Sequence, residues 1–134
     1  MKLIQSRDNP FFKELLKLTG STRQRGKTNQ TLLDGAHLLA ACLDADILPQ
    51  HILLNAAAIQ DAEIGALLER ANDVPVTQLD NKLFAELSAL KTHTGILTLI
   101  PISLPTSSIR DSRFALLLED IQDPGNLGSI LRSA

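Results

Sequence analysis

Residues 1–100 predict an α/β domain, a sheet covered by helices, on two observations. Short apolar runs rich in β-branched residues alternate with longer segments whose apolar positions recur every three or four residues, the pattern of strands followed by helices. The composition, 44% hydrophobic and 21% charged over 134 residues, supplies a core for one compact domain and excludes a disordered chain.

The elements follow in order. Asp8-Asn9-Pro10 is a cap-like start with proline at the first helical position, and Phe11, Leu15 and Leu18 predict a helix over residues 10–19, ended by Gly20. Residues 17–27 carry Lys17, Arg23, Arg25 and Lys27 between Gly20 and Gly26, and read as a flexible basic loop. Gln30 to Leu33 reads as an extended segment, and Asp34-Gly35 opens an apolar helix over residues 36–43. His51 to Leu54 reads as a buried strand, and residues 61–71 as a helix with Ile64, Leu67 and Leu68 inward. Residues 74–77 read as a short strand, and residues 81–90 as a helix through Leu83, Phe84, Leu87 and Leu90. Gly95 to Ile100 is the strongest strand signal of this part.

Two prolines and three serines in residues 101–108 change the composition abruptly and place a domain boundary there. The expected organisation is a domain over residues 1–100, a linker over 101–113 and the start of a second domain over 114–134. Phe114 to Leu118 is a continuous apolar run of the kind found in a parallel strand buried on both faces. A turn-rich loop follows, and then a helix with Leu127, Ile130, Leu131 and Ala134 on one face and Gly128 and Arg132 on another. Asn126 is the expected cap of that helix.

Charge is uneven. The net charge is −2, yet residues 1–30 hold seven basic side chains against two acidic ones, and residues 31–134 hold six against thirteen. Such a basic segment is either a solvated surface or a contact for a phosphate backbone, and charge alone leaves both readings open. With four Phe and no Tyr or Trp, a stacked aromatic platform for single-stranded bases is disfavoured. The lone Cys42 forms no internal disulfide, and Cys42 with three scattered His gives no metal-ligand spacing; a reducing, cytoplasmic setting is expected. The amino terminus lacks the apolar core of a signal peptide, and no apolar run approaches the roughly 20 residues that span a bilayer, so no membrane partner is expected.

The loop at Asp123-Pro124-Gly125 and the helix after it read physically in two ways, as a capped strand-to-helix turn or as an anion-facing site with Arg132 one and a half turns on. Gly125-Asn126-Leu127-Gly128 lacks the lysine of a Walker A loop and the third glycine of a dinucleotide fingerprint.

Residues 118–134, with Asp123-Pro124-Gly125-Asn126-Leu127-Gly128 and then Arg132-Ser133-Ala134, closely resemble the first signature motif of the SpoU (TrmH-like) RNA ribose methyltransferases, an Asp-Pro-x-Asn-x-Gly-x-x-x-Arg core followed by Ser or Thr and Ala. Ser6 to Pro10, Leu32 to Leu39 and Gly95 to Leu97 resemble the amino-terminal substrate-binding domain of that family, except that Asp34 stands where the family has Glu. The resemblance implies a small α/β sandwich like that of ribosomal proteins that bind kinked RNA, followed by the first strand and helix of a knotted α/β methyltransferase domain of the SPOUT type. The family's remaining two motifs are not in these residues, so the chain is expected to be an inactive fragment whose site for S-adenosylmethionine lies beyond Ala134.

The resemblance further implies that the whole protein methylates a ribose 2′-hydroxyl of structured rRNA or tRNA using S-adenosylmethionine. It implies a homodimer formed through the missing part, the fragment itself being monomeric. Arg132 and Asn126 match the family's active-site Arg and motif Asn. Arg132, a permanent cation and so a poor conventional base, is assigned to the target phosphate and the developing alkoxide, and Asn126 to orienting backbone or substrate. Lys13, Lys17, Arg23, Arg25 and Lys27, with Arg7 and His37, are the expected RNA contacts; for His37 a half-buried structural role is the competing reading. The competing function is a non-catalytic RNA-binding or ribosome-associated module.

Overall fold

The computed structural model describes residues 1–102 and 116–133, and the chain divides into two units, Met1–Ser103 and Leu104–Ala134. In the first unit the elements run β1 (Lys2–Ile4), α1 (Pro10–Gly20), α2 (Thr22–Thr28), β2 (Gln30–Asp34), α3 (Ala36–Asp44), β3 (His51–Leu54), α4 (Ala62–Arg70), β4 (Val76–Leu79), α5 (Asn81–Leu87) and β5 (Ile96–Pro101). A single helical turn, Ala58–Gln60, precedes α4.

Strand order is β1-β4-β3-β5-β2. β1 and β3 pair with β4 in parallel, whereas β5 pairs with β3 and β2 in antiparallel fashion, so β5 runs against the other four strands. Successive side chains of a strand point to opposite faces. Leu53, Leu79, Leu97 and Leu99 therefore join Phe12, Leu15, Leu18, Leu83 and Phe84 of α1 and α5 in one core. Ile52, Leu54 and Ile96 join Leu39, Ile64 and Leu67 of α3 and α4 in the other. The result is a three-layer sandwich, and β3 and β5 are buried on both faces.

The helix starts carry the expected chemistry. Asn9 Oδ1 accepts from the amides of Phe11 and Phe12, Asp61 Oδ1 from those of Glu63 and Ile64, and Asp80 Oδ1 from that of Lys82. Each such cap satisfies orphan amides and stabilises by about 1 kcal/mol.

Several expectations are corrected. The basic segment is no loop: after a break at Ser21 it forms α2, whose first amides are met by Ser21 Oγ accepting from Gln24 N at 3.1 Å. The strand expected over residues 74–77 begins at Val76, because Pro75 has no amide to pair and Val74 N turns back to Ala71 O. α5 ends at Leu87, and Leu90 is exposed beyond it. β1, three residues long, is an element that no sequence pattern announces. Pro101 still pairs with Gln30 in the sheet, and Ile102 N donates to Asn29 O at 2.7 Å.

In the second unit the described residues hold one helix, α6 (Pro124–Ser133), with no fully buried residue. Of the strand expected at 114–118, Phe114 and Ala115 lie outside the described residues, as do 103–113 of the linker and Ala134. Leu116, Leu117 and Leu118 form no strand, for no neighbour pairs with them among the described residues, and Leu117 is 94% exposed.

Gly95 shows how tightly the first unit is built. Its φ is +86°, and a Cβ there would collide with the Asn55 side chain and Ala58 Cβ. Gly95→Ala is expected to cost roughly 2–5 kcal/mol through backbone strain and overpacking. Gly65→Ala, in α4 with nothing near the added methyl, is expected to gain about 0.5–1 kcal/mol. Denaturant midpoints of both variants check the pair; equal effects would contradict it.

Candidate RNA interface

α1 and α2 place most of the basic side chains. Lys13 and Lys17 lie on the outward face of α1, one turn apart, opposite buried Phe12, Leu15 and Leu18. Both are tethered to acids: Lys13 Nζ lies 3.4 Å from Asp8 and Lys17 Nζ 3.0 Å from Glu14. These pairs are more than half exposed and hold their partners weakly, worth at most about 1 kcal/mol each. Arg7 is similarly engaged, its Nε 2.8 Å from Glu86.

On α2, Arg23 and Lys27 stand four residues apart on the same exposed face, and among the described residues neither has a carboxylate within ion-pair distance. Arg25 differs. Its Nη1 donates to Leu18 O at 2.7 Å and its Nη2 to Thr22 Oγ1 at 3.0 Å, so this guanidinium ties α2 to the end of α1. Thus Arg23 and Lys27 present free charge while Arg25 partly holds the platform that carries them.

His37 is exposed in the first turn of α3, which replaces the half-buried reading. It sits in the layer on the other side of the sheet from α1, so the fold does not gather it with the α1–α2 cations. Asp34 ends β2, and its Oδ2 accepts from Ser88 Oγ at 2.5 Å and Ala89 N at 3.1 Å, bonds that no local sequence signal announces.

Two cavities open on this unit. One, about 270 Å³, is lined by Leu43, Asp46, Ile47, Leu48 and Arg70; the other, about 190 Å³, by residues that include Leu18, Arg25, Thr31, Asp34 and Leu87. Among the described residues no group of three His, Cys, Asp or Glu is placed to hold a metal ion, and no helix is long and apolar enough to cross a membrane. Cys42 is buried, and desolvation pushes its thiol pKa up, away from the reactive thiolate.

In the second unit, Asp123 rather than Asn126 caps α6: Asp123 Oδ1 accepts from Gly125 N at 2.9 Å, and Asp123 O from Leu127 N at 3.2 Å. Pro124 takes the first helical position, which leaves Asn126 inside the first turn and exposed. Arg132 is exposed and lies back along the helix, where a Cβ on Gly128 would sit 3.6 Å from its Nη1.

Comparison with known proteins gives these arrangements a context. Residues 9–98 match the family described as the MRM3-like substrate binding domain. The chain is 29% identical over 134 residues to the 23S rRNA (guanosine(2553)-2′-O)-methyltransferase RlmP of Bacillus subtilis, covering 100% of this chain and 50% of that protein. It is 31% identical over 126 residues to the mitochondrial rRNA methyltransferase 3B of Danio rerio, covering 90% of this chain and 28% of that protein. A solved RNA 2′-O ribose methyltransferase superposes with a TM-score of 0.76 at 26% identity, covering 98% of this chain and 50% of that one. The SpoU methyltransferase AviRb of Streptomyces viridochromogenes, in complex with AdoMet, shares the fold with a TM-score of 0.63 at 17% identity, over 93% of this chain and 47% of that one. The chain spans about half the length of RlmP.

One titration is built into the first unit. His51 stacks obliquely on Phe11 with centroids 4.7 Å apart, its Nε2 lies 2.8 Å from Thr77 Oγ1, and desolvation of the half-buried ring lowers its pKa. The unfolded chain then takes up this proton first. Stability from neutral His51 is complete above about pH 6.5 and is lost as pH falls towards the lowered value. Between about pH 7.5 and about pH 5.5 the wild type is expected to lose more stability than His51→Gln, measured by denaturant midpoints. Equal losses would contradict it.

Proposed function

Because this chain belongs to the SpoU family of RNA methyltransferases, with an MRM3-like substrate binding domain over residues 9–98, we propose that the whole protein is an S-adenosylmethionine-dependent ribose 2′-O-methyltransferase of rRNA or tRNA, acting in the cytoplasm. Residues 1–100 are its RNA-recognition domain. The observation that carries this role is the exposed pair Arg23 and Lys27 on α2, free of acidic partners among the described residues on a chain whose net charge is −2. Unpaired cations on one helical face are available to phosphates without first breaking an ion pair.

Lys13 and Lys17 extend this surface along α1, since their exposed tethers exchange readily for phosphate oxygens. Arg7, tethered to Glu86 by a partly exposed contact on the same side of the sheet, joins them, whereas His37, on the other side, stands outside this core of contacts. The donor is held by the part of the protein that this chain does not span, which also forms the homodimer; alone, the chain is an inactive monomer. S-adenosylmethionine, when bound there, supplies the methyl group.

The chain's own share in the reaction is positioning and charge. Arg132, permanently cationic, holds the phosphate next to the target ribose and stabilises the oxyanion that develops as the 2′-hydroxyl loses its proton. Asn126, in the first turn of α6, orients backbone or substrate beside it.

Methyl transfer to rRNA by the whole protein tests these assignments. Arg132→Ala is expected to lower kcat by about 10²–10³ with little change in RNA affinity. Arg23→Glu with Lys27→Glu is expected to raise KM for RNA with kcat unchanged, and to flatten the salt dependence of binding. A wild-type kcat in the Arg132→Ala protein would remove that residue from the reaction. An unchanged KM in the α2 variant would remove that helix from the interface.

A further inference from the structure

Charge divides between the two faces of the sheet. On one side α1 and α2 carry five basic side chains against Glu14; residues 36–75, which hold the helices of the other side, carry Asp44, Asp46, Asp61, Glu63, Glu69 and Asp73 against Arg70 alone. All six acidic residues are exposed, and Arg70 is met by Asp44, its Nη2 2.6 Å from Oδ1. RNA held by α1 and α2 is repelled from this second face. The face nevertheless carries more than charge. Leu38, Ala41 and, at the helix end, Ala45 form an exposed apolar stripe on α3, away from its buried Ala36, Leu39 and Cys42. The stripe leads to Ile47 and Leu48, which with Leu43, Asp46 and Arg70 line the cavity of about 270 Å³.

Leu48 is 71% exposed although the backbone on either side of it is fixed. Before it, Asp46 takes the left-handed conformation at φ 55°, Ile47 N donates to Cys42 O at 2.9 Å and Asp46 N to Leu43 O at 3.3 Å, the pair of bonds that closes a helix end. After it, Pro49 is buried and Gln50 N donates to Leu99 O at 2.8 Å. A leucine held in water on a fixed backbone needs little further ordering to make a contact. An exposed apolar patch rimmed by charged groups is the mark of an interaction site.

We propose that this face docks a basic segment of a second protein, one that sets an aliphatic side chain into the cavity between Lys and Arg residues that meet the carboxylates. Charge complementarity selects the partner, since one cation against six carboxylates leaves residues 36–75 at a net −5. Size agrees: an apolar cavity of about 150 Å³ already holds benzene, so this one takes a side chain the size of Leu or Ile. A second copy of the chain fits less well, because its α1 and α2 bring the charge but no exposed large apolar side chain. Lys- and Arg-rich segments are what proteins set against RNA phosphates, so the site would join the domain to the protein part of a ribonucleoprotein while α1 and α2 hold the RNA. It rests on the RNA-binding reading for its purpose, and on its own residues for its chemistry.

Fluorescence anisotropy of the 134-residue chain with three short labelled peptides tests the proposal: a Lys-rich peptide with two central Leu, the same with Ala for Leu, and the same with Glu for Lys. The Lys–Leu peptide is expected to bind about tenfold more tightly than the Lys–Ala peptide, and the Glu–Leu peptide not to bind. Leu48→Ser is expected to remove that tenfold advantage. Asp46→Asn, whose amide suits the left-handed backbone, is expected to weaken the Lys–Leu peptide about threefold and to flatten its salt dependence. Both variants change exposed side chains, and both are expected to keep the wild-type affinity for a structured rRNA fragment. Absent binding of the Lys–Leu peptide, equal binding of the Leu and Ala peptides, or an advantage that survives in folded Leu48→Ser would overturn the site while RNA binding stands. A chain dimer seen by sedimentation and lost in Leu48→Ser would give the face to a second copy and overturn it too. Peptide binding as expected without any RNA binding would instead overturn the RNA reading alone.

Discussion

The burial of β3 and β5 on both faces is the constraint from which the rest of the structure follows. Ile52 and Leu54 enter one core and Leu53 the other, and Ile96 and Leu97 divide in the same way, so apolar helices must cover both sides of the sheet. Each such side chain taken out of water contributes about 1.5–3 kcal/mol, and no one-sided arrangement captures both sets. With β3 and β5 inside, β1 and β2 become the edges. Both α1 and α2 pack against β2, the edge strand where Asp34 meets Ser88 and Ala89. The proposed RNA surface thus lies on the two helices that the core geometry sets beside that edge.

Division of labour among similar residues is the second feature. Five of the basic side chains on α1 and α2 look alike in sequence, yet their surroundings separate them. Lys13 and Lys17 are loosely paired, Arg23 and Lys27 are unpaired among the described residues, and Arg25 bonds a main-chain carbonyl. A helix, unlike the loop its glycines suggested, fixes the spacing of the unpaired cations and limits the ordering entropy that binding must offset.

Much of the fold was legible in the sequence, because strand and helix periods were clean. α1 announced itself through Asn9-Pro10 and its apolar spacing, and β5 through its β-branched run. α2 is hidden because Gly20 and Gly26 favour a loop, although Ser21 followed by Gln24 three positions later is a capping pattern. Pro124 repeats the signal of Pro10, but Asp123-Pro124-Gly125 also suits a turn, which is why the sequence favours Asn126 as the cap where the structure has Asp123. β1 is too short to show a period. The reversal of β5 and the bonds from Asp34 to residues 88 and 89 depend on pairings across more than forty positions, for which local patterns carry no information. The family motif around Arg132 was legible, but the surroundings that would give it chemistry are not among the described residues.

Amide chemical-shift mapping of the chain during titration with a structured rRNA fragment tests the central claim most directly, for it locates the RNA without assuming which side chains matter. The largest shifts are predicted in α1, α2 and β2, from Lys13 to Asp34. Shifts concentrated instead at the far cavity beside Leu43, Leu48 and Arg70, or no shifts at all, would contradict the account.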